Sequence, residues 1–382
     1  MLKFNSDGKF TILALGDVHH KTTYKTENKL KYEDTMALLN AALDEYKPDL
    51  CVFMGDNCSC RPLTEETPEG DAEYLDMVLA ATEPVRKRNI PFAMIMGNHD
   101  HDLGHEEREV EICSSVEGCL MRNDAPPEVR GNANYNEIIY SSDGERPVFN
   151  LWFMDSNNCH SDINVSHYDW VHEDQIKWYE GKAAELKEMN GGKPLPALLF
   201  QHIPVYEEYN LLREAKWWER PVAVRGENLK KNTFYVKKDG VDGYLGEGPC
   251  SPDYNGGQFA SWKKTGDIIG AVFGHDHMND FAGETQGIVL MQCQTSGFNV
   301  YTNGCRSGVR VIVLDENKPE TFETCMKHFK EFGLKSKSLG PIMRTLTDRQ
   351  SIAMHTAFNI FCGVAGAAGV AAAGVLLYKF LK

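Results

Sequence analysis

Residues 91–102 read PFAMIMGNHDHD. An apolar run stops at a glycine and gives way to consecutive side chains that bind metals, carry protons or accept hydrogen bonds. A polar turn capping a buried strand has the same composition, because Asn, Asp and Gly favour turns for conformational reasons. The rest of the chain separates the two readings. Four more apolar runs end in the same way: FTILALGDVHH (10–20), LCVFMGDN (50–57), PALLFQH (196–202) and IIGAVFGHDH (268–277). In four of the five a glycine precedes the polar residue, which permits a tight turn and close backbone approach.

The first three runs are separated by the helix-like segments KYEDTMALLNAALDEYK (31–47) and AEYLDMVLAATEPVRKR (72–88), giving a β-α-β-α-β start. Further strands are expected at NYNEIIYS, VFNLWFM, GIVLMQC and GVRVIVL, and helices at HEDQIKWYEGKAAELKEM and around FASWKK. This is the pattern of a parallel-rich α/β sheet. In such sheets the carboxyl ends of the strands form the ligand-binding edge, so side chains distant in sequence converge there. The converging set is Asp17, His19, Asp56, Asn98, His202, His275 and His277. Imidazole suits Fe, Zn or Ni, and carboxylate and amide oxygens suit Mn or Mg. The mixture therefore points to a centre of two transition-metal ions instead of Ca²⁺.

Composition narrows the function. The balance of 40 Lys+Arg against 55 Asp+Glu gives a net charge of −15, which disfavours nucleic acid as a partner. Eleven cysteines, an odd number with only Cys58 and Cys60 close together, indicate neither a disulfide framework nor a zinc ribbon, and fit a reducing compartment. The apolar run near the N-terminus is too short for the core of a signal peptide, so the chain is not expected to be secreted.

The motifs GDVH, GDN, GNHD, QH and GHDH, in this order, resemble the signature of calcineurin-like metallophosphoesterases. The segments FMDSNN, YDWVHEDQIKWY, FQHIPVYEEY and FGHDHMNDFAG resemble the small purple-acid-phosphatase-like branch of that family. The resemblance spans about residues 10–315. It implies a four-layer α/β/β/α sandwich, with one metal on Asp17, His19, Asp56 and His277 and the other on Asp56, Asn98, His202 and His275, Asp56 bridging. It also implies hydrolysis of a phosphate-ester substrate, monoester or diester, by attack of a metal-bridging hydroxide, with Mn, Fe or Zn as the divalent ions. His99 would stabilise or protonate the leaving oxygen, and Asp100 would orient its ring. The sequence departs from true purple acid phosphatases by keeping His19 and by placing Ser59 where those enzymes carry a tyrosine ligand. The purple chromophore should therefore be absent. The alternative is a noncatalytic metal-binding scaffold on the same fold, against which stands the intact donor set.

Several residues carry weaker expectations. His20, His101, Asp102 and His105 read mainly as solvated loop residues, with contact to substrate the alternative. Arg306 and Arg310 are within reach of a phosphate, although Arg310 reads more simply as a surface residue of a strand. Tyr206, Trp217 and Trp218 read as packing residues before pocket-lining ones, and the Cys58–Cys60 pair as small buried side chains before a redox-active pair. The segment 210–252 is long and irregular.

The C-terminal part differs in character. Residues 357–378, AFNIFCGVAGAAGVAAAGVLLY, carry no charge and match the length of a bilayer-spanning helix. The expected organisation is a catalytic domain over 1–330, a linker over 331–356 and a single transmembrane anchor over 357–379. Basic residues cluster ahead of the span, which puts the catalytic domain on the cytoplasmic side. Gly363, Ala367 and Ala371, four apart, would allow two anchors to pair as a weak homodimer.

Overall fold

A computed structural model describes residues 1–345, together with positions 360, 363, 364 and 366. Two sheets lie face to face. One has five strands in the order Phe322–His328, Gly308–Asp315, Lys9–Leu15, Leu50–Phe53 and Phe92–Met94. Its last three strands are parallel, as the two intervening helices Lys29–Tyr46 and Pro68–Arg86 require. The other sheet has seven strands. Its central run, Pro147–Phe153, Ala197–Gln201, Ile268–Phe273 and Ile288–Gln292, is parallel throughout.

Side-chain alternation along the seven-stranded sheet separates two cores. Leu151, Phe153, Leu198, Phe200, Val272 and Met291 face the five-stranded sheet and join a core that continues under its helices. Their neighbours Trp152, Leu199, Ala271, Phe273 and Leu290 face the other way, toward helices Glu173–Met189 and Gln258–Thr265. The result is helices, sheet, sheet, helices, as the resemblance implied. A bridge between Gly16 and Thr295, reinforced by the bond from Ser296 N to Gly16 O at 2.6 Å, joins the sheets where their strands end.

The packed domain runs past residue 330, where the linker was expected to begin. Leu334 and Leu339 pack on the main core. The buried carboxylate of Asp34 accepts bonds from the Ser336 and Ser338 hydroxyls and from the Lys337 and Ser338 amides, at 2.6–3.1 Å. A polar composition concealed this, because the fastening is made by serines and backbone N–H groups. Among the described residues no helix is long and apolar enough to cross a membrane. Apart from the four isolated positions, the span expected over 357–379 lies outside the described residues.

The segment 210–252 contains a small antiparallel sheet of its own, ordered Leu212–Glu214, Phe234–Lys237 and Val224–Arg225.

Candidate metal centre

The five apolar strands deliver their terminal polar residues to one edge. The backbone there is bent in a way that non-glycine residues rarely adopt. Nine non-glycine residues among those described have positive φ, and four are candidate ligands: Asp17 at 41°, His19 at 45°, Asp56 at 49° and His275 at 71°. Such conformations cost on the order of 1–3 kcal/mol each and persist where the surroundings enforce them, typically at functional sites. The glycines explain themselves by proximity. A Cβ on Gly97 would lie 2.2 Å from Asp56 Oδ1, and one on Gly55 2.7 Å from His202 Nδ1.

The donor atoms face one another at uniform spacing. His277 Nε2 lies 3.5 Å from Asp17 Oδ1, and His19 Nε2 lies 3.3 Å from Asp56 Oδ2. These four residues bring one ligand atom each within 4.8 Å of one another. On the other side of Asp56, His202 Nε2 is 3.4 Å from the same Oδ2, 3.2 Å from Asn98 Oδ1 and 3.3 Å from His275 Nδ1. Ligands about 2.0–2.2 Å from a common cation stand about 3.0–3.5 Å apart, so these separations are edges of coordination polyhedra. Asp56 belongs to both groups.

Supporting contacts set which ring nitrogen is available. His202 Nδ1 lies 2.7 Å from the Met54 carbonyl and His277 Nδ1 lies 3.2 Å from the Tyr301 carbonyl, so each ring places its proton there and presents Nε2 as a lone-pair donor. His19 Nε2 and His275 Nε2 are buried without a hydrogen-bond partner. Asp17 and Asp56 are fully buried carboxylates, and the His275 N–H donates to both Asp17 oxygens at 3.2 Å. The electrostatics ask for positive charge. Burial pushes the His202 imidazole down, but Asp56, hydrogen-bonded to it, and Asp17 lift it to about 10. Burial pushes the Asp56 carboxyl up, yet His202 and His19 hold it well below its usual range. His275, buried beside His202, is held well below the usual histidine range. Buried carboxylates and lone-pair imidazoles at ligand spacing fit two cations.

His99 lines the adjoining cleft, a space of about 800 Å³ whose wall includes His19, Ser59, Arg61, His277 and Tyr301. Its side chain is half exposed, and its backbone N–H donates to Asp56 Oδ1 at 2.8 Å. The expected partner of its ring is corrected. Asp100 Oδ2 instead accepts the Asp56 and Gly97 amides, both at 2.8 Å, and so shapes the metal loop. Burial and then the Asp56 charge raise the Asp100 carboxyl to about 7. The carboxylate that meets His99 Nδ1 is Asp102, at 2.9 Å. Burial lowers His99, but Asp56 and Asp102 outweigh it and raise its pKa.

Other expectations also change. His101 is not a solvated loop residue. Its ring lies between Glu106 and Asp155, 2.9 Å from each. Burial lowers it, and the two carboxylates raise it well above the usual histidine range. Asp155, which lies in FMDSNN but outside the expected donor set, ends VFNLWFMD, a further apolar strand running into a polar residue. Arg310 is buried, neither surface nor phosphate-facing, and its guanidinium is spent on the carbonyls of Gln292 and Asp280. Arg306 pairs with Asp280 at 2.8 Å. Trp217, Trp218 and Tyr206 are exposed instead of packed. Cys58 and Cys60 are buried and free.

The family model described as "Calcineurin-like phosphoesterase" matches residues 10–279. The chain belongs to this family. Among curated relatives, "Probable inactive purple acid phosphatase 29" of Arabidopsis thaliana is 27% identical over 341 residues, covering 83% of this chain and 79% of its own. "Phosphatase DCR2" of Saccharomyces cerevisiae is 29% identical over 300 residues, covering 73% of this chain and 46% of its own. These names accord with the purple-acid-phosphatase-like branch of the family. A dimetal phosphatase from Danio rerio is a distant structural likeness, 11% identical, with a TM-score of 0.45 over 84% of this chain and 99% of its own.

Proposed function

We propose that this family member is a metal-dependent phosphoesterase that hydrolyses phosphate monoesters or diesters. The observation that carries the reading is the complete donor set, Asp17, His19, Asp56, Asn98, His202, His275 and His277, at ligand spacing beside a cleft that His99 lines. Asp17, His19, Asp56 and His277 would hold one cation, and Asp56, Asn98, His202 and His275 the other. Bound there, two transition-metal ions, Mn, Fe or Zn, would supply Lewis acidity toward phosphoryl oxygens and a nucleophile from water at neutral pH.

The chain's own residues do the rest. Asp56 balances charge between the two groups. Asp100 holds the Asp56 and Gly97 amides and so keeps the turns that carry the ligands in place. With its Nδ1 taken by Asp102, His99 keeps Nε2 for the leaving oxygen, where it acts as general acid.

The curated relatives named "Probable inactive" favour a second reading, a metal-binding scaffold without turnover. Loading the full chain with Mn, Zn or Fe and measuring hydrolysis of p-nitrophenyl phosphate and of an alkyl phosphate separates the two. Turnover dependent on metal and sensitive to His99→Ala supports the enzyme. Bound metal without turnover on any ester of a broad panel supports the scaffold.

A membrane location for the domain, tethered through 357–379 and facing the cytoplasm, is part of this proposal. It is supported by the uncharged run and by the basic residues ahead of it. Protease added outside intact cells should spare the domain, and its digestion would reverse the orientation.

A further inference from the structure

The small three-stranded sheet after ligand His202 differs from the rest of the molecule. Residues 212–238 hold eight Lys and Arg against three Glu, in a chain whose net charge is −15. The chain runs out of Glu214 and of Arg225 at the same end of this sheet. Tyr235 pairs with Glu214 and with Val224, Phe234 pairs with Arg225, and Ala215 N donates to Phe234 O at 2.7 Å. The loop 226–233 is the hairpin at that end, and the loop 215–223 starts there before returning to Val224 opposite Tyr235.

Their tips carry large apolar side chains in the open. Trp217 is 78% exposed, Trp218 57% and Leu229 58%. The two indoles meet only edge to face, with centroids 5.7 Å apart. Exposed cations alternate with them: Lys216, Arg220, Arg225 and Lys231. Lys216 lies over the Trp218 ring at 5.2 Å and Arg220 over Phe234 at 5.3 Å. Within the loop 215–223, the acidic Glu219 is already bound by Arg213 through both oxygens, at 2.7 and 2.8 Å. Its charge is thus cancelled locally.

Adjacent exposed tryptophans hemmed by lysine and arginine match the interface of a membrane. Indole prefers the headgroup level, and cations are drawn to anionic lipid. We infer that the tips of this small sheet, Trp217, Trp218 and Leu229 with Lys216, Arg220 and Lys231, dock on an anionic lipid surface. The acidic remainder of the molecule is repelled by the same surface, so the patch also fixes which way the domain faces. This contact is separate from the C-terminal span and does not require it.

The test uses the full chain with vesicles of phosphatidylcholine alone or mixed with phosphatidylserine, both carrying brominated acyl chains that quench nearby tryptophan. The wild type should lose emission with the anionic vesicles. The quenching should fade as salt shortens the Debye length. Trp217→Ala/Trp218→Ala should abolish it. Lys216→Glu/Arg220→Glu/Lys231→Glu should weaken the lipid contact by at least about a hundredfold, since each cation near an anionic surface contributes about a factor of five. All these side chains are exposed, so turnover of a soluble aryl phosphate should be unchanged in these variants. Flotation with the phosphatidylcholine vesicles, which lack the anionic lipid the patch requires, reports the C-terminal span, whereas quenching with the anionic vesicles reports the patch, so either can fail alone. Equal quenching in wild type and the double tryptophan variant overturns the inference. So does a concentration-dependent dimer that the tryptophan substitutions abolish while quenching stays absent, because the patch would then seat a second copy of this chain.

Discussion

Asp102→Ala should weaken the proposed chemistry without touching the metals. The His99–Asp102 contact is 2.9 Å, with side chains 55% and 50% exposed. A buried charge-assisted bond contributes about 1.5–3 kcal/mol, but an exposed ion pair only about 0.2–1 kcal/mol. A half-exposed pair falls near about 1 kcal/mol, and the expected loss in kcat is then about fivefold. His99→Ala should cost a hundredfold to ten-thousandfold on an alkyl phosphate, on the order expected for a lost general acid. Because Asp102 acts through His99, the double variant should be no worse than His99→Ala alone. Asp100→Ala behaves differently, since its carboxylate holds the Asp56 and Gly97 amides. It should lower metal content together with activity. The assay is kcat on an alkyl phosphate alongside metal per chain for each variant. Metal loss in Asp102→Ala, or full metal and a pure kcat defect in Asp100→Ala, would refute this division of roles.

Three further outcomes are expected. Gly97→Ala should strip metal and destabilise the fold by about 1–3 kcal/mol or more, because its Cβ would sit 2.2 Å from Asp56 Oδ1; unchanged metal content would contradict the close approach. His101→Gln should cost about 3 kcal/mol at neutral pH by breaking the buried pairing with Glu106 and Asp155. A histidine pKa raised by folding stabilises fully below the unfolded value, about 6.5, and the benefit disappears as pH rises through the folded value. The wild-type-minus-variant difference in denaturation midpoint should therefore persist through neutrality and shrink at alkaline pH, and a difference that grows with pH would be the wrong sign. Ending the chain after residue 345 should preserve the domain's stability, whereas ending it after 330 should lower it, since Asp34 loses its Ser336 and Ser338 partners. Equal melting of the two truncations would return the boundary to 330.

The sheet and the donor set were legible in the sequence because a single pattern, an apolar strand running into Gly and then Asp, Asn or His, recurs at distant positions. The periodicity supplies the strand, and the glycine reports crowding such as that between Gly97 and Asp56. What stayed hidden depended on local backbone path. Asp100 and Asp102 lie one and three residues after His99, and only the turns closed by Asp100 N to Gly97 O and His101 N to Asn98 O send Asp100 back to the metal loop. Arg310 reads as a surface residue from VRVIV alone. Its guanidinium is buried against the Gln292 and Asp280 carbonyls beside the facing seven-stranded sheet and against Thr324 of Phe322–His328, a strand too polar to be recognised by composition. Trp217 and Trp218 read as packing residues because size usually predicts burial, and here it does not.

Metal stoichiometry of the purified full chain is the most direct measurement of the central claim. Elemental analysis should find two transition-metal ions per chain in the wild type. Asp56→Asn should lose both along with nearly all activity, since a neutral amide cannot balance charge in two adjoining sites. One ion per chain in the wild type, or two retained in an active Asp56→Asn variant, would contradict a two-metal centre joined by Asp56.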